Sequence, residues 1–563
     1  MPAPAVTQAQ SELPVPFDSR LDRELDERPA LPEFERERRP LLPPAPELPP
    51  VPARASAGIE VFVRGISLTG NTVFSDKQLA QVTGPYEGRK ITTEELLELR
   101  DEITRYYAER GYVNSGAIIP DQGVADGIVV VEIVEGKLDE VQVGGLDMLR
   151  EGFLEGRIRD GAGQPLNLNR LQERLQLLLA DPSVARLDAR LVPGTDRGQS
   201  RLEVDVVEAS RFTLDFEIDN ERSPSVGEPR AALAATARNV FGYSDPLFVR
   251  LGLTEGLRDA ALAYSVPFTP GNSRLRFYLE ASDSDVVEEP FDELDIMSQT
   301  YTAEVGVRFP LAQTLDRELT VGVDLSRRRS ETELLGRPFS FSPGVQDGRS
   351  DVTALRFPVD YLRRDRDRVV ALRSILSVGL DAFGATANPG DTPDGEFVAW
   401  LGQAQLAQRF GSSQLILRAD VQLAEDPLLP IEQLAIGGLD TVRGYRENLL
   451  VRDNGVILSI EGRLPLFQLP LPRLGREGRT EGWVQLAPFI DFGRAWDTDD
   501  NSFEGRSSET IKSLGVGLLW APSSRIAARL YYGYALDDDD FPDPEEHSLQ
   551  DDGIHFEARF GLL

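Results

Sequence analysis

Apolar and polar residues alternate along most of the chain from Arg211 to its end. Phe212, Leu214, Phe216 and Ile218 are interleaved with Thr213, Asp215 and Glu217. Leu247, Val249, Leu251 and Leu253 repeat the pattern, as do Leu275, Phe277, Leu279 and Ala281. The last segment is the clearest: Ile554, Phe556, Ala558, Phe560 and Leu562 point one way, and His555, Glu557 and Arg559 the other. A period of two predicts strands with one apolar face. A sandwich shows the same period. Here, however, charges recur on the second face strand after strand, and the connections 283–289 and 537–546 are long and acidic. A barrel wall with an apolar outer band and a polar lumen accounts for both facts. At about ten residues per spanning strand, plus turns, residues 211–563 hold about sixteen strands.

Upstream the period changes. Residues 59–63 alternate as a strand. Residues 92–107 place Leu96, Leu99, Ile103 and Tyr107 on one helical face, with Thr92 or Thr93 as the cap and Gly111 as the end. Residues 118–120 and 128–134 are β-like, so 58–138 forms a compact α+β module. A second module, 139–210, repeats this order with diverged sequence: a strand opened by Val141 and Val143, a helix face of Leu171, Leu175 and Leu178, and strands at 189–191 and 202–207. Residues 1–57 differ from both. They hold thirteen of the 39 prolines, which predicts an extended, semi-rigid segment. Within it, residues 17–28 are either part of a charged tail or a short plug helix on a tether.

Composition narrows the function. Acidic residues outnumber basic ones by 93 to 60, for a net charge of −33, so the basic footprint of a nucleic-acid partner is missing. There is no cysteine and there are two histidines, His547 and His555, which leaves no thiolate chemistry, zinc site or histidine triad. The sequence holds no G-x-S-x-G, P-loop or H-E-x-x-H pattern and no paired carboxylates for acid–base work. We expect no enzyme, metal or cofactor. The spacing Asp497-x-Asp499-x-Asn501 resembles a calcium loop but has Ser502 and Ser508 where glycine and glutamate are needed. No apolar window is long enough for a membrane helix, and residues 1–10 lack a signal peptide's basic and apolar regions. An exported protein with this sequence is expected to be a processed form.

One turn stands out. Residues 436–445 read I-G-G-L-D-T-V-R-G-Y, with Arg443 in a glycine-flanked turn between alternating segments. Arg443 is either a solvated loop residue or a charge held in the lumen, where it needs a paired carboxylate.

Two α+β modules ahead of a barrel carrying V-R-G-Y at Val442, Arg443, Gly444 and Tyr445 resemble the outer-membrane transporters of two-partner secretion, the ShlB/FhaC/HecB type. The resemblance covers nearly the whole chain. G-N-T-V-F at 70–74 and Y-Y-A-E-R-G-Y at 106–112 resemble the first POTRA domain of that family, and G-Y-S-D at 242–245 an early barrel hairpin. Residues 434–448 resemble its long sixth loop with the strand before it, and F-I-D-F-G, with Phe489, Asp491 and Gly493, the motif of the next strand pair.

The resemblance implies a transmembrane β-barrel of about sixteen antiparallel strands, two periplasmic POTRA domains and an N-terminal plug helix on a linker. It implies that the loop folds into the lumen and that Arg443 meets Asp491, on a strand expected to carry Phe489 and Phe492 on its other face. Gly444 permits the tight turn and Gly493 the loop's close approach. A secreted partner in extended form would pair with the modules by strand addition, near Ala117, Ile118 and Ile119 and beside the helix of Leu171, Leu175 and Leu178. Further partners are outer-membrane lipid, lipopolysaccharide and the barrel assembly machinery. The chain ends Gly561-Leu562-Leu563 rather than on an aromatic residue, so recognition by that machinery rests on Phe556 and Phe560. The alternatives are an assembly factor of the same superfamily, which usually carries more modules, and a passive solute channel, which needs none.

Overall fold

A computed structural model describes residues 34, 40–42, 60–471, 482–498, 508–523, 525–537 and 548–563. The sequence readings for residues 17–28, 499–501 and 538–546 lie outside these residues. The described residues form two compact units, one holding 40–42 and 60–211 with 239–244, the other 212–238 and 245–563 with Phe34.

The first unit contains two modules of one topology. In the first, helices α1 (Asp76–Thr83) and α2 (Thr93–Ala108) accompany a sheet ordered Gly65–Thr69, Ile128–Val134, Gly116–Ile118. In the second, α3 (Glu151–Ala162) and α4 (Leu168–Leu179) accompany a sheet ordered Lys137–Gly144, Gln199–Glu208, Val184–Pro193. Each sheet pairs its first two strands parallel and the next two antiparallel. A capping box starts α2: Thr92 Oγ1 accepts from the Glu95 amide, and Glu95 accepts the Thr92 amide at 2.7 Å. Its apolar stripe, Leu99, Ile103 and Tyr107, is fully buried against Val129, Val131 and Ile133. Asn167 caps α4, whose Leu171, Leu175 and Leu178 pack on Leu202, Val204 and Val206.

A shared carboxylate clamp confirms the repeat. Glu135 accepts the amides of Thr72 and Val73 at 2.7 and 2.9 Å and the Tyr107 hydroxyl at 2.9 Å. Glu208 accepts the amides of Asp147, Met148 and Leu149 at 2.8, 2.9 and 2.8 Å. Ahead of each clamped turn stands a glycine of positive φ, Gly70 and Gly145, where a Cβ would lie 2.3 Å from the carbonyl oxygen of Ile133 or Val206. The G-N-T-V-F motif is therefore a turn tied to the far end of its own sheet. Residues 239–244 join this unit, with the Arg150 amide donating to Gly242 O at 2.9 Å.

The second unit is a closed antiparallel barrel of sixteen long strands, from Phe212–Asp219 to Ile554–Gly561, with a two-residue strand at Arg337–Pro338 added to one hairpin. The last strand closes on the first through five residue pairs, Glu557 with Asp219 to Gly561 with Asp215. Alternation sorts the side chains. Leu251, Leu279, Ile490, Leu514 and Leu530 are exposed on the outer face, and Asp219, Arg230, Asp324, Arg356 and Asp491 are buried inside. Three inner pairs are Arg230 with Asp219 at 2.9 Å, Arg373 with Asp360 at 2.6 Å, and Arg308 with Asp324. An apolar exterior around a charged interior is the inverse of a soluble fold and fits a wall facing hydrocarbon. No helix among the described residues is long and apolar enough to cross a membrane.

Candidate functional site

The sixth connection at the end of the barrel remote from Phe212 is the longest to enter the site. It runs from 425 to 453, between the strands Ser413–Ala424 and Asn454–Gln468. Short strands Leu434–Ile436 and Leu450–Arg452 pair to form its stem. The tip between them is tied by its own groups: Gly437 donates to Thr441 Oγ1 at 2.8 Å, and Leu439 to Glu447 Oε1 at 2.7 Å. Leu434, Ile436, Val442, Tyr445 and Leu450 are buried with the wall residues Ile457, Ala495 and Ile511.

Arg443 lies at the centre. Its Nε and Nη2 form a two-pronged pair with Asp491 at 2.8 and 2.9 Å, and its backbone amide reaches the same carboxylate at 3.1 Å. Nη1 donates to Glu461 at 2.5 Å and Nη2 to Ser459 Oγ at 3.1 Å. The guanidinium lies 3.7 Å from the Phe489 ring centroid and 4.8 Å from that of Tyr531, so the planar cation meets anions at its edge and π-faces on its sides.

Glycines set how close the loop comes. A Cβ on Gly444 (φ +92°) would lie 2.8 Å from the Gly533 carbonyl carbon, and one on Gly493 would lie 2.8 Å from Val442 Cγ2. Backbone rests on backbone at the first site, and a wall glycine receives a loop valine at the second. The Gly444 amide donates to His555 Nε2 at 3.0 Å, and the Tyr445 hydroxyl to Lys512 O at 2.8 Å.

The ascending limb has a second, opposite anchor. Glu432, buried in the turn Pro430–Glu432, accepts from Arg356 Nη2 on both carboxylate oxygens at 2.8 and 2.9 Å and lies 3.5 Å from Arg328. Arg356 is further held by Ser326 and Ser377. At the tip the loop supplies the cation and the wall the anions. On the limb the loop supplies the anion and the wall the cations.

The structure thus brings Val442, Arg443, Gly444, Tyr445, Phe489, Asp491 and Gly493 into one cluster. Phe489 corrects an expectation: it shares the lumen face with Asp491, two residues away, and only Phe492 points outward. The modules correct another. Leu171, Leu175 and Leu178 are core residues at 0–2% exposure, and Ala117 is also buried. Their side chains cannot touch a client. Ile118 and Ile119 are half-buried. Sequence reasoning missed Glu461, Ser459, Tyr531, His555 and Glu432. Register carried the signal for the first two, because Ser459 faces Asp491 and Glu461 faces Phe489. Among the described residues no cluster could hold a metal ion.

A closed barrel with a charged lumen, a wall-latched inward loop and two POTRA-like modules ahead of it defines the outer-membrane transporter barrels. Residues 198–518 match the family model "Haemolysin secretion/activation protein ShlB/FhaC/HecB", and residues 61–136 the ShlB-type POTRA domain. The chain belongs to the ShlB/FhaC/HecB family. It is 24% identical over 532 residues to the outer membrane transporter CdiB of Escherichia coli, covering 91% of this chain and 83% of that one. It is 23% identical over 527 residues to the hemolysin transporter protein ShlB of Serratia marcescens, covering 91% and 87%. The solved structure of Escherichia coli CdiB has the same fold, with a TM-score of 0.69 at 21% identity, covering 92% of this chain and 94% of that one.

Proposed function

We propose that this protein is an outer-membrane pore that takes up an exported partner in extended form through its periplasmic modules and passes it to the cell surface. In this reading the POTRA domains span 58–138 and 139–210, the barrel spans 211–563, and residues 1–57 form the plug and linker. The carrying observation is the loop latch: Arg443, buried on Asp491 and Glu461, holds a large segment inside a polar conduit, where it can close the path or yield to a client. The edge strands Gly116–Ile118 and Val184–Pro193 offer backbone groups to an extended polypeptide, so affinity depends little on the client's side chains. An adhesin- or haemolysin-like chain fits that demand. Phe34 supports a plug reading for residues 1–57, since this residue packs on Val369, Ala407 and Ile416, with the Arg409 guanidinium 4.1 Å from its ring. The sequence carries no nucleotide-binding P-loop, and in this reading folding of the client outside the cell is the driving force. The outer band meets lipid and lipopolysaccharide, and Phe556 and Phe560 on the closing strand are read by the barrel assembly machinery.

The direct test finds, in the gene neighbourhood, a large exported protein with a matching secretion domain, deletes the transporter in its host and follows that client. Accumulation of that client in the periplasm is expected. Normal export rejects the reading.

A further inference from the structure

The outer face carries one feature that a plain hydrocarbon contact does not explain. Directly opposed outward positions on six neighbouring strands run Leu251, Ala260, Ala281, Tyr301, Arg329 and Asp351. The next outward row toward the middle of the wall includes Leu262, Leu279, Ala303 and Arg327. Small alanines between larger neighbours leave a shallow groove of about 530 Å³, bounded on one side by Tyr301, Arg327 and Arg329. The row lies in the half of the wall remote from Phe212, at a change of polarity. Asp283, Gln299 and Glu331 stand one outward position further from the centre, and Val305, Leu325 and Val323 stand toward it.

Arginines on a lipid-facing wall are costly unless an anion meets them. Part of that anion is built in. Asp351 accepts from Arg329 at 2.9 Å, Arg349 at 2.5 Å and Arg327 at 3.3 Å, and Glu331 lies 3.9 Å from Arg329 and Arg349. Three guanidiniums face two carboxylates, which leaves one positive charge on a protein whose net charge is −33. A cation beside an apolar groove, at the polar boundary of the wall, matches a ligand with a phosphate and several acyl chains.

We propose that this groove binds a phosphorylated, multiply acylated glycolipid of the outer leaflet, its phosphate on Arg327 and Arg329 and its acyl chains along the alanine rows. The proposal rests on the reading that the modules preceding Phe212 are periplasmic, which puts the strand ends remote from Phe212 at the cell surface. Its test uses no client, so its failure is distinguishable from failure of the transport reading. The full chain in detergent is titrated with bis-phosphorylated hexa-acylated lipid A and followed by native mass spectrometry, with heat-modifiable gel mobility reporting that each barrel is folded. One tight lipid per chain is expected. Arg327→Gln with Arg329→Gln should weaken it at least tenfold, and so should Ala281→Trp, which fills the groove without changing charge. Arg363→Gln, near the opposite end of the wall, should leave binding unchanged. Equal binding by the folded groove variants overturns the proposal. So does equal affinity for phosphatidylglycerol, or displacement by millimolar inorganic phosphate.

Discussion

Arg443 shows how a buried charge becomes affordable in a lumen. It and Arg463 face Asp491 and Glu461, with Arg463 2.8 Å from Glu461, so the four ionised groups balance. Removing one partner of such a set costs about 3–5 kcal/mol, because the others stay buried and uncompensated. Arg443→Ala should therefore release the loop tip and sharply reduce client in the medium while the strand ladder keeps the barrel folded. Client yield at matched surface abundance checks this, and unchanged yield removes the gating role. Arg443→Lys keeps the charge but loses the two-pronged geometry, so it should rescue only part of the yield. Arg443 and Asp491 were legible as residues, one in a tight turn and the other in a strand motif. The rest of the cluster was not. Tyr531 and His555 come from strands far along the chain, and nothing local marks a tyrosine or histidine that meets a loop about 90 to 110 positions earlier.

At the scale of elements, the inward loop and the module turns use the same device, a carboxylate that gathers distant donors. Glu432→Gln should free the limb of the loop but not its tip, and Arg443→Ala the reverse. Hydrogen exchange of residues 428–434 against 438–447 separates the two, and equal protection of both segments in both variants would reject independent anchors. In the first module, burial raises the pKa of Glu135, but hydrogen bonds from Thr72, Val73 and Tyr107 outweigh it and hold the carboxyl below its usual range. A depressed carboxylate contributes stability above its unfolded pKa, about 4.3, and loses it as pH falls through the folded value. Exchange protection of the 70–74 turn should therefore fall below about pH 4. Glu135→Gln should lower it by about 1–3 kcal/mol at neutral pH and flatten the acid response. The long amphipathic helices α2 and α4 were legible from their apolar stripes. Helix α3 was not, because Gly152, Gly156 and Gly161 interrupt twelve residues and its helicity depends on tertiary packing. Helix α1, with only eight residues, gives too short a window for periodicity to show.

For the whole molecule, alternation together with charges recurring on the second face was enough to indicate a barrel wall, because a lumen that must be polar and a belt that must be apolar write the same period into every strand. What alternation could not show was the contents of the lumen, since loop residues obey no period. If Phe34 marks a segment within the barrel, removing residues 1–36 should raise ion conductance in planar bilayers, and Arg443→Ala should raise it further. Equal conductance in all three proteins would deny both obstructions. The contact of Gly444 with Gly533 and His555 has a temporal meaning as well. Those two wall residues lie on the last two strands, synthesised after the loop. Until they are in place, Gly444 lacks its backbone contact and its hydrogen bond, and Arg443 lacks the Tyr531 ring on one side. The loop thus reports completion of the cylinder: a truncated or stalled barrel leaves it unseated, and a finished one draws it in.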